Sequence, residues 1–190
     1  MVQKLNRINV KNLTDNVFKL LDNDWMLVTA GTQDSFNTMT ASWGSFGILW
    51  NKPIAICFIR PQRYTIEFMN RVDFFTLSFF AENYRDSLNY HGSHSGRKVD
   101  KMAHTGLTSV STENGSVYFS EARIVLECKK LYADSLNPDN FLKKSLINEI
   151  YPNSDFHHFF IGEIINCFSS EISIKNTQVK FDENEGDNQP

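Results

Sequence analysis

The sequence predicts a mainly β protein, a β-barrel carrying peripheral α-helices. Six short runs rich in β-branched and aromatic residues are bounded by turn formers, and four segments with helical spacing lie among them. No repeat or linker interrupts the 190 residues. A chain of that length makes one domain and buries roughly 70% of its unfolded surface. Sixteen Phe, six Tyr and three Trp supply a large core.

The elements follow in order. "LTDNVFKLL" places Leu13, Val17, Leu20 and Leu21 at helical spacing. "WMLVTAG" (Trp25–Gly31) reads as a strand, and "PIAICFI" (Pro53–Ile59) is so continuously apolar that both faces should be covered. "TIEFMNR" is a helix for which Thr65 is the expected N-cap. "FFTLSFF" (Phe74–Phe80) is a further strand. "ENYRDSLNYHG" pairs Tyr84 with Leu88 and is expected to end at Gly92 as a C′ glycine. "ARIVLECK" alternates, with Ile124, Leu126 and Cys128 on one face and Arg123, Val125 and Glu127 on the other. "NPDNFLKKSLINEI" offers Asn137 as cap and Pro138 as first helical residue. "HFFIGEIINCF" (His158–Phe168) and "EISI" (Glu171–Ile174) complete the strands. Residues 1–175 read as one domain, and 176–190 as an acidic, partly disordered tail.

A net charge of −3 argues against a nucleic-acid partner. No segment approaches the roughly 20 apolar residues of a membrane span, and no apolar signal core opens the chain. A cytoplasmic location is the expectation. Cys57, Cys128 and Cys167 each sit in an apolar run with no nearby partner, which points to buried free thiols.

Three polar stretches stand out. "NTMTASWG" (Asn37–Gly44) sets three hydroxyls, an amide, a thioether and an indole between apolar runs with no charge, a composition suited to holding something polar and flat. "RPQRYT" follows the strand ending at Ile59 and precedes a helix, so Arg60, Arg63 and the Thr65 hydroxyl could join free N–H groups around a dianion such as a phosphate monoester. An ordinary solvated turn is the alternative. "SGRKVDK" (Ser95–Lys101) is a glycine-containing loop with three cations. His91, His94 and His104 lack a zinc-like spacing, and no metal site is expected. GxSxG, Walker A and GxGxxG are all absent, which argues against common hydrolases, NTPases and Rossmann enzymes.

"NTMTASWGSFGILWNKPIAICFIRPQRYT", then "SGRKVDK", "EARIVLECKKLY" and "HHFFIGEI" in that order, resemble the flavin reductase-like proteins of the FMN-binding split-barrel superfamily, in the flavoredoxin branch. The resemblance runs from about Trp25 to about Ile165. It implies a Greek-key type split β-barrel with peripheral α-helices, homodimeric, holding FMN without a covalent link near the dimer interface. It further implies that residues 1–175 form a single flavin reductase-like domain. Asn37, Thr38, Met39, Thr40, Ser42 and Trp43 would then line the isoalloxazine, with hydroxyls and N–H groups near O4 and N5. Arg60, Arg63 and Thr65 match the family phosphate site. Ser95, Gly96 and Lys101 match the loop that reaches the flavin from its other side, where a Lys101 cation near N1 and O2 would favour reduced flavin. Either His157 or His158 matches another flavin-proximal position, and Phe181 is a candidate for a late aromatic. The activity implied is NAD(P)H-dependent reduction of FMN with electrons passed to a small-molecule or protein acceptor. The alternative is an electron carrier reduced by a partner protein. A non-redox anion-binding barrel is a third reading.

Overall fold

The computed structural model describes residues 5–170, so the strand expected at Glu171–Ile174, the tail 176–190 and Phe181 lie outside the described residues. In chain order the strands are β1 (Leu5–Ile8), β2 (Met26–Thr32), β3 (Ser35–Ala41), β4 (Gly44–Leu49), β5 (Lys52–Ile59), β6 (Phe74–Phe79), β7 (Ser109–Ser111), β8 (Val117–Phe119), β9 (Ile124–Ser135) and β10 (His158–Ser170). The α-helices are α1 (Thr65–Met69), α2 (Arg85–Ser93), α3 (Lys101–Thr105) and α4 (Ser145–Ile150).

One antiparallel sheet runs β3-β2-β6-β9-β10-β5-β4, and β1 pairs with the far end of β10. β3 and β4 end this path, yet only Ser42 and Trp43 separate them in the chain. The sheet therefore curls until its two edges meet at one corner without pairing, a split barrel. Between β5 and β6 the chain passes through α1 and steps over β10 and β9, the non-local connection of a Greek key.

The strand sequences explain the layers. Met26, Val28 and Ala30 of β2, Phe75, Leu77 and Phe79 of β6, and Ile124, Leu126 and Cys128 of β9 fill the barrel interior. The opposite face of β9 is buried as well. Val125 packs with Leu27, Phe80, Leu88 and Phe119 beneath α2 and the β7–β8 hairpin. Glu127 is wholly buried and accepts hydrogen bonds from Thr112, Asn114, Ser116 and Asn166. Arg123 pairs with Asp15 and Asp24. All three cysteines are free and buried, and burial pushes the Cys57 and Cys167 thiols up to about 12.

Local helix chemistry differs from expectation at four places. Residues 19–24 form a π-helical turn ending at Trp25, whose φ of 63° stops it. Thr65 is the first helical residue rather than the cap, and its hydroxyl accepts from Asn37 Nδ2 at 2.7 Å. Gly92 lies inside α2, which ends one residue later. Asn137 does cap Pro138, but of a single 3₁₀ turn, and α4 begins separately at Ser145.

Gly162 sits at a register shift midway along β10. A Cβ there would come within 2.8 Å of Cys128 Cβ and the Phe75 ring. Gly162→Ala is expected to destabilise the chain by about 1–3 kcal/mol through overpacking, read from urea unfolding midpoints.

Candidate functional site

The meeting corner of the sheet is a cleft. Asn37–Ala41 is not a loop: it is the body of edge strand β3, and only Ser42 and Trp43 form the turn into β4. Around that turn, the end of β5, the start of β10 and Gly92 of α2 enclose about 340 Å³. A smaller cleft of about 150 Å³ adjoins it, bounded by the 62–65 turn, the loop through Ser95 and Gly96, and Lys101. Met39 and Arg63 border both, so the two form one elongated site.

In the smaller cleft two cations stand together. Arg63 Nη1 donates to Gly92 O at 2.7 Å and Nη2 to His91 O at 3.5 Å. Lys101 is 6% exposed, and its Nζ donates to Thr38 O at 2.9 Å and His91 O at 3.1 Å. Among the described residues neither meets a carboxylate within ion-pair distance. Burial lowers the Arg63 pKa. Burial, and then the neighbouring Arg63 charge, pull Lys101 down to about 8. Two cations beside an open cleft, unneutralised among the described residues, are chemically suited to receive an anion. Thr65 and Ser95 line the same space. Gly96 approaches so closely that a Cβ would lie 2.1 Å from Asn37 Oδ1. α1 spans five residues, so its dipole is a minor part of the receptor compared with the cations.

The larger cleft is aromatic. Trp43 is 46% exposed and its ring lies 4.9 Å from that of His157. Phe58 meets His157 edge-on at 6.4 Å. His157 Nδ1 is 2.9 Å from Tyr151 Oη. Burial, and then the Arg60 charge, lower the His157 pKa to about 4, so the imidazole is neutral. Strand alternation turns the next residue away: His158 Nδ1 bonds Ser135 Oγ at 2.9 Å, and of the pair only His157 lines the cleft.

Several expected contacts are rearranged. The Thr38 hydroxyl accepts from Thr29 at 2.9 Å on the buried side and lines neither cleft, and the Thr40 hydroxyl donates to Leu88 O, so neither is a free donor in the cleft. Ser42 and Met39 do line it. Arg60 borders only the larger cleft, where it pairs with Asp155 and donates to Ile150 O at 3.0 Å, whereas Arg63 borders both clefts. Lys101 joins Arg63 and Thr65 in the smaller cleft rather than Trp43 and His157 in the larger. Among the described residues no cluster of His, Cys, Asp and Glu could hold a metal. His94 and His104 instead stack on Tyr90, at 4.0 and 3.7 Å.

Trp25, Phe58, Gly92 and His94 also border the clefts and were not picked out as lining residues from sequence. Phe58 had a usable signal, because near the end of an apolar strand it alternates with Cys57 and Ile59, which face the core. Gly92 and His94 had none, since only tertiary packing brings the end of α2 to β3.

Residues 20–178 match the family model described as the flavin reductase like domain. No curated protein matches the sequence. Among solved structures, the chain is similar to an FMN-binding protein from Thermus thermophilus (TM-score 0.62, 22% identity, covering 77% of this chain and 71% of that one). It is also similar to the flavoredoxin of Desulfovibrio vulgaris (Miyazaki F) (TM-score 0.60, 25% identity, 78% and 70% covered). A third is the NADH:FAD oxidoreductase SgcE6 of Streptomyces globisporus C-1027 (TM-score 0.56, 19% identity, 76% and 73% covered).

The Lys101 environment makes stability depend on pH. Its folded pKa lies near 8 against an ordinary value of 10.5, so between those values the unfolded chain holds a proton that the folded chain has released. Stability therefore rises with pH through that window. Lys101→Met is expected to lack this rise and to gain up to about 3 kcal/mol at neutral pH, measured by urea unfolding at about pH 7 and 10.

Proposed function

We infer function from membership and site chemistry together: the chain belongs to the flavin reductase-like domain family, and it is a flavin-related redox protein. The flavin we propose is FMN, held without a covalent bond. The carrying observation is a pair of cations, Arg63 and Lys101, that meet no counter-ion among the described residues and stand one cleft away from an aromatic wall. That spacing of charge and ring suits a planar heterocycle with a phosphate at the end of a linker. Arg63, Lys101, Thr65 and Ser95 would hold the phosphate, while Met39, Trp43, Phe58 and His157 would border the ring. When bound, the flavin supplies reversible electron transfer between a reduced nicotinamide and an acceptor. The protein's own part is to fix the phosphate, to exclude water from one side of the ring with apolar side chains, and to offer a neutral imidazole beside it.

We propose NAD(P)H as the donor and a small molecule or a protein as the acceptor. The runner-up, a flavoredoxin-type carrier reduced by another protein, uses the same site. No helix among the described residues is long and apolar enough to cross a membrane. The buried free thiols suit the reducing cytoplasm, where we propose that the chain works. We also propose a homodimer. Phe58, Phe159 and Tyr132 form a continuous aromatic row across β5, β10 and β9, with centroids 6.1 and 5.9 Å apart. Tyr132 is 44% exposed, and the row runs into the larger cleft at Phe58, so a second copy seated there would adjoin the ring site.

FMN is expected to bind at least about tenfold more tightly than riboflavin, since each charge-assisted hydrogen bond is worth roughly 1.5–3 kcal/mol. Arg63→Ala should erase most of that difference, and equal affinities in a fluorescence titration of the wild type would sink the phosphate assignment. Anaerobic NADH or NADPH should bleach the absorbance of the bound flavin. No bleaching with either nucleotide would favour the carrier. Phe159→Asp, placing a charge in the aromatic row, is expected to convert dimer to monomer in light scattering, whereas a monomeric wild type would remove the dimer.

A further inference from the structure

His157 is 7% exposed and has two nitrogens with different surroundings. Nδ1 is 2.9 Å from Tyr151 Oη. Among the described residues Nε2 has no protein partner, and it is not sealed from solvent. The residue lines the larger cleft, with Tyr151 behind it. Tyr151 is itself 4% exposed, and among the described residues its hydroxyl bonds only His157. Two arrangements satisfy that distance. Either the phenol donates to a bare Nδ1, or a protonated Nδ1 donates to the phenol oxygen. In the second the buried phenol proton has no acceptor, at the cost of an unmet buried donor, while in the first every buried proton is used.

We propose that Tyr151 is a positioning residue that fixes His157 in the tautomer protonated on Nε2, so that the imidazole presents a permanent hydrogen-bond donor to the ring cleft. The surroundings hold the pair still. Phe156 stacks on Tyr151 at 4.8 Å, Phe141 meets it edge-on at 5.9 Å, and Trp43 and Phe58 confine the imidazole from the cleft side. Arg60 lies 5.2 Å over the Tyr151 ring and pairs with Asp155, and among the described residues these are the charged groups that act on the imidazole. Their balance, with burial, keeps the imidazole uncharged at neutral pH. His157 is thereby a neutral donor rather than a proton shuttle. The ligand edge that meets it must carry an acceptor, a carbonyl oxygen or a pyridine-type ring nitrogen. That the ligand is a flavin rests on the function proposed above, whereas the tautomer does not.

The test needs no ligand. In the flavin-free, full-length protein labelled with nitrogen-15 histidine, long-range proton–nitrogen correlation should show Nδ1 of His157 as pyridine-type and Nε2 as pyrrole-type. The pattern should not change between about pH 6 and 8. His157→Gln assigns the signals. Tyr151→Phe keeps the ring and removes the hydroxyl, and it should give a mixture of tautomers while the remaining amide spectrum is retained. A proton on Nδ1 in the wild type overturns the proposal, as does an unchanged single tautomer in Tyr151→Phe. If Tyr151→Phe does not fold, the wild-type spectrum alone decides. Failure here leaves the FMN assignment standing, and failure to bind FMN leaves this result standing.

Discussion

Two positive charges held side by side by carbonyl oxygens, with no carboxylate beside them among the described residues, set the terms for the rest of this molecule. Arg63 and Lys101 are anchored by His91 O and Gly92 O at the end of α2 and by Thr38 O on β3. Both kinds of carbonyl are available for the same reason. The last carbonyls of a helix have no partner within it, and β3 is an edge strand whose outward carbonyls have no neighbouring strand among the described residues. The helix end also carries partial negative charge, which steadies cations without neutralising them. To build this receptor, α2, α3, β3 and the turn before α1 must converge on one corner, and the open seam of the barrel is where they can.

Glu127 shows the opposite solution in the same chain. It is more deeply buried than either cation, but four neutral donors from the β7–β8 turn and from β10 saturate its oxygens. That carboxylate needs no ligand and works as a clamp, tying the hairpin over the second core layer. A buried charge is thus not in itself a sign of function. The discriminating feature is whether the surrounding groups leave it anything further to bind.

The barrel was legible because its central strands are apolar runs of strand length, and β2, β5, β6 and β10 fall where those runs predict. β3 was not, since Asn37, Thr38 and Thr40 give it the composition of a loop. Its edge position, with hydroxyls turned to Thr29 and Leu88, is what makes those residues tolerable in a strand. Within the site, the segments were readable and the atoms were not. The 60–65 and 95–101 stretches do meet, but the sequence could not tell that Asp155, lying 95 residues along the chain, would claim Arg60 while Arg63 turns to the carbonyls at the end of α2. The choice between His157 and His158 likewise depended on strand register, which adjacent identical residues cannot reveal. Lys101 was singled out through its motif, while its place beside Arg63 depends on the tertiary hydrogen bonds that tie it to β3 and to the end of α2.

The three cysteines bear on how such a protein survives its own trade. Proteins that handle reduced flavin in air work close to peroxide, and peroxide attacks thiolates rather than thiols. With Cys57 and Cys167 held near 12, roughly one of these two thiols in 10⁵ is ionised at neutral pH, and burial raises Cys128 well above its ordinary value too. Their burial among the barrel side chains adds a physical barrier to that chemical one. The core therefore contains sulfur that is well shielded from the oxidant its surface could generate, and oxidative wear should fall first on exposed side chains such as Trp43.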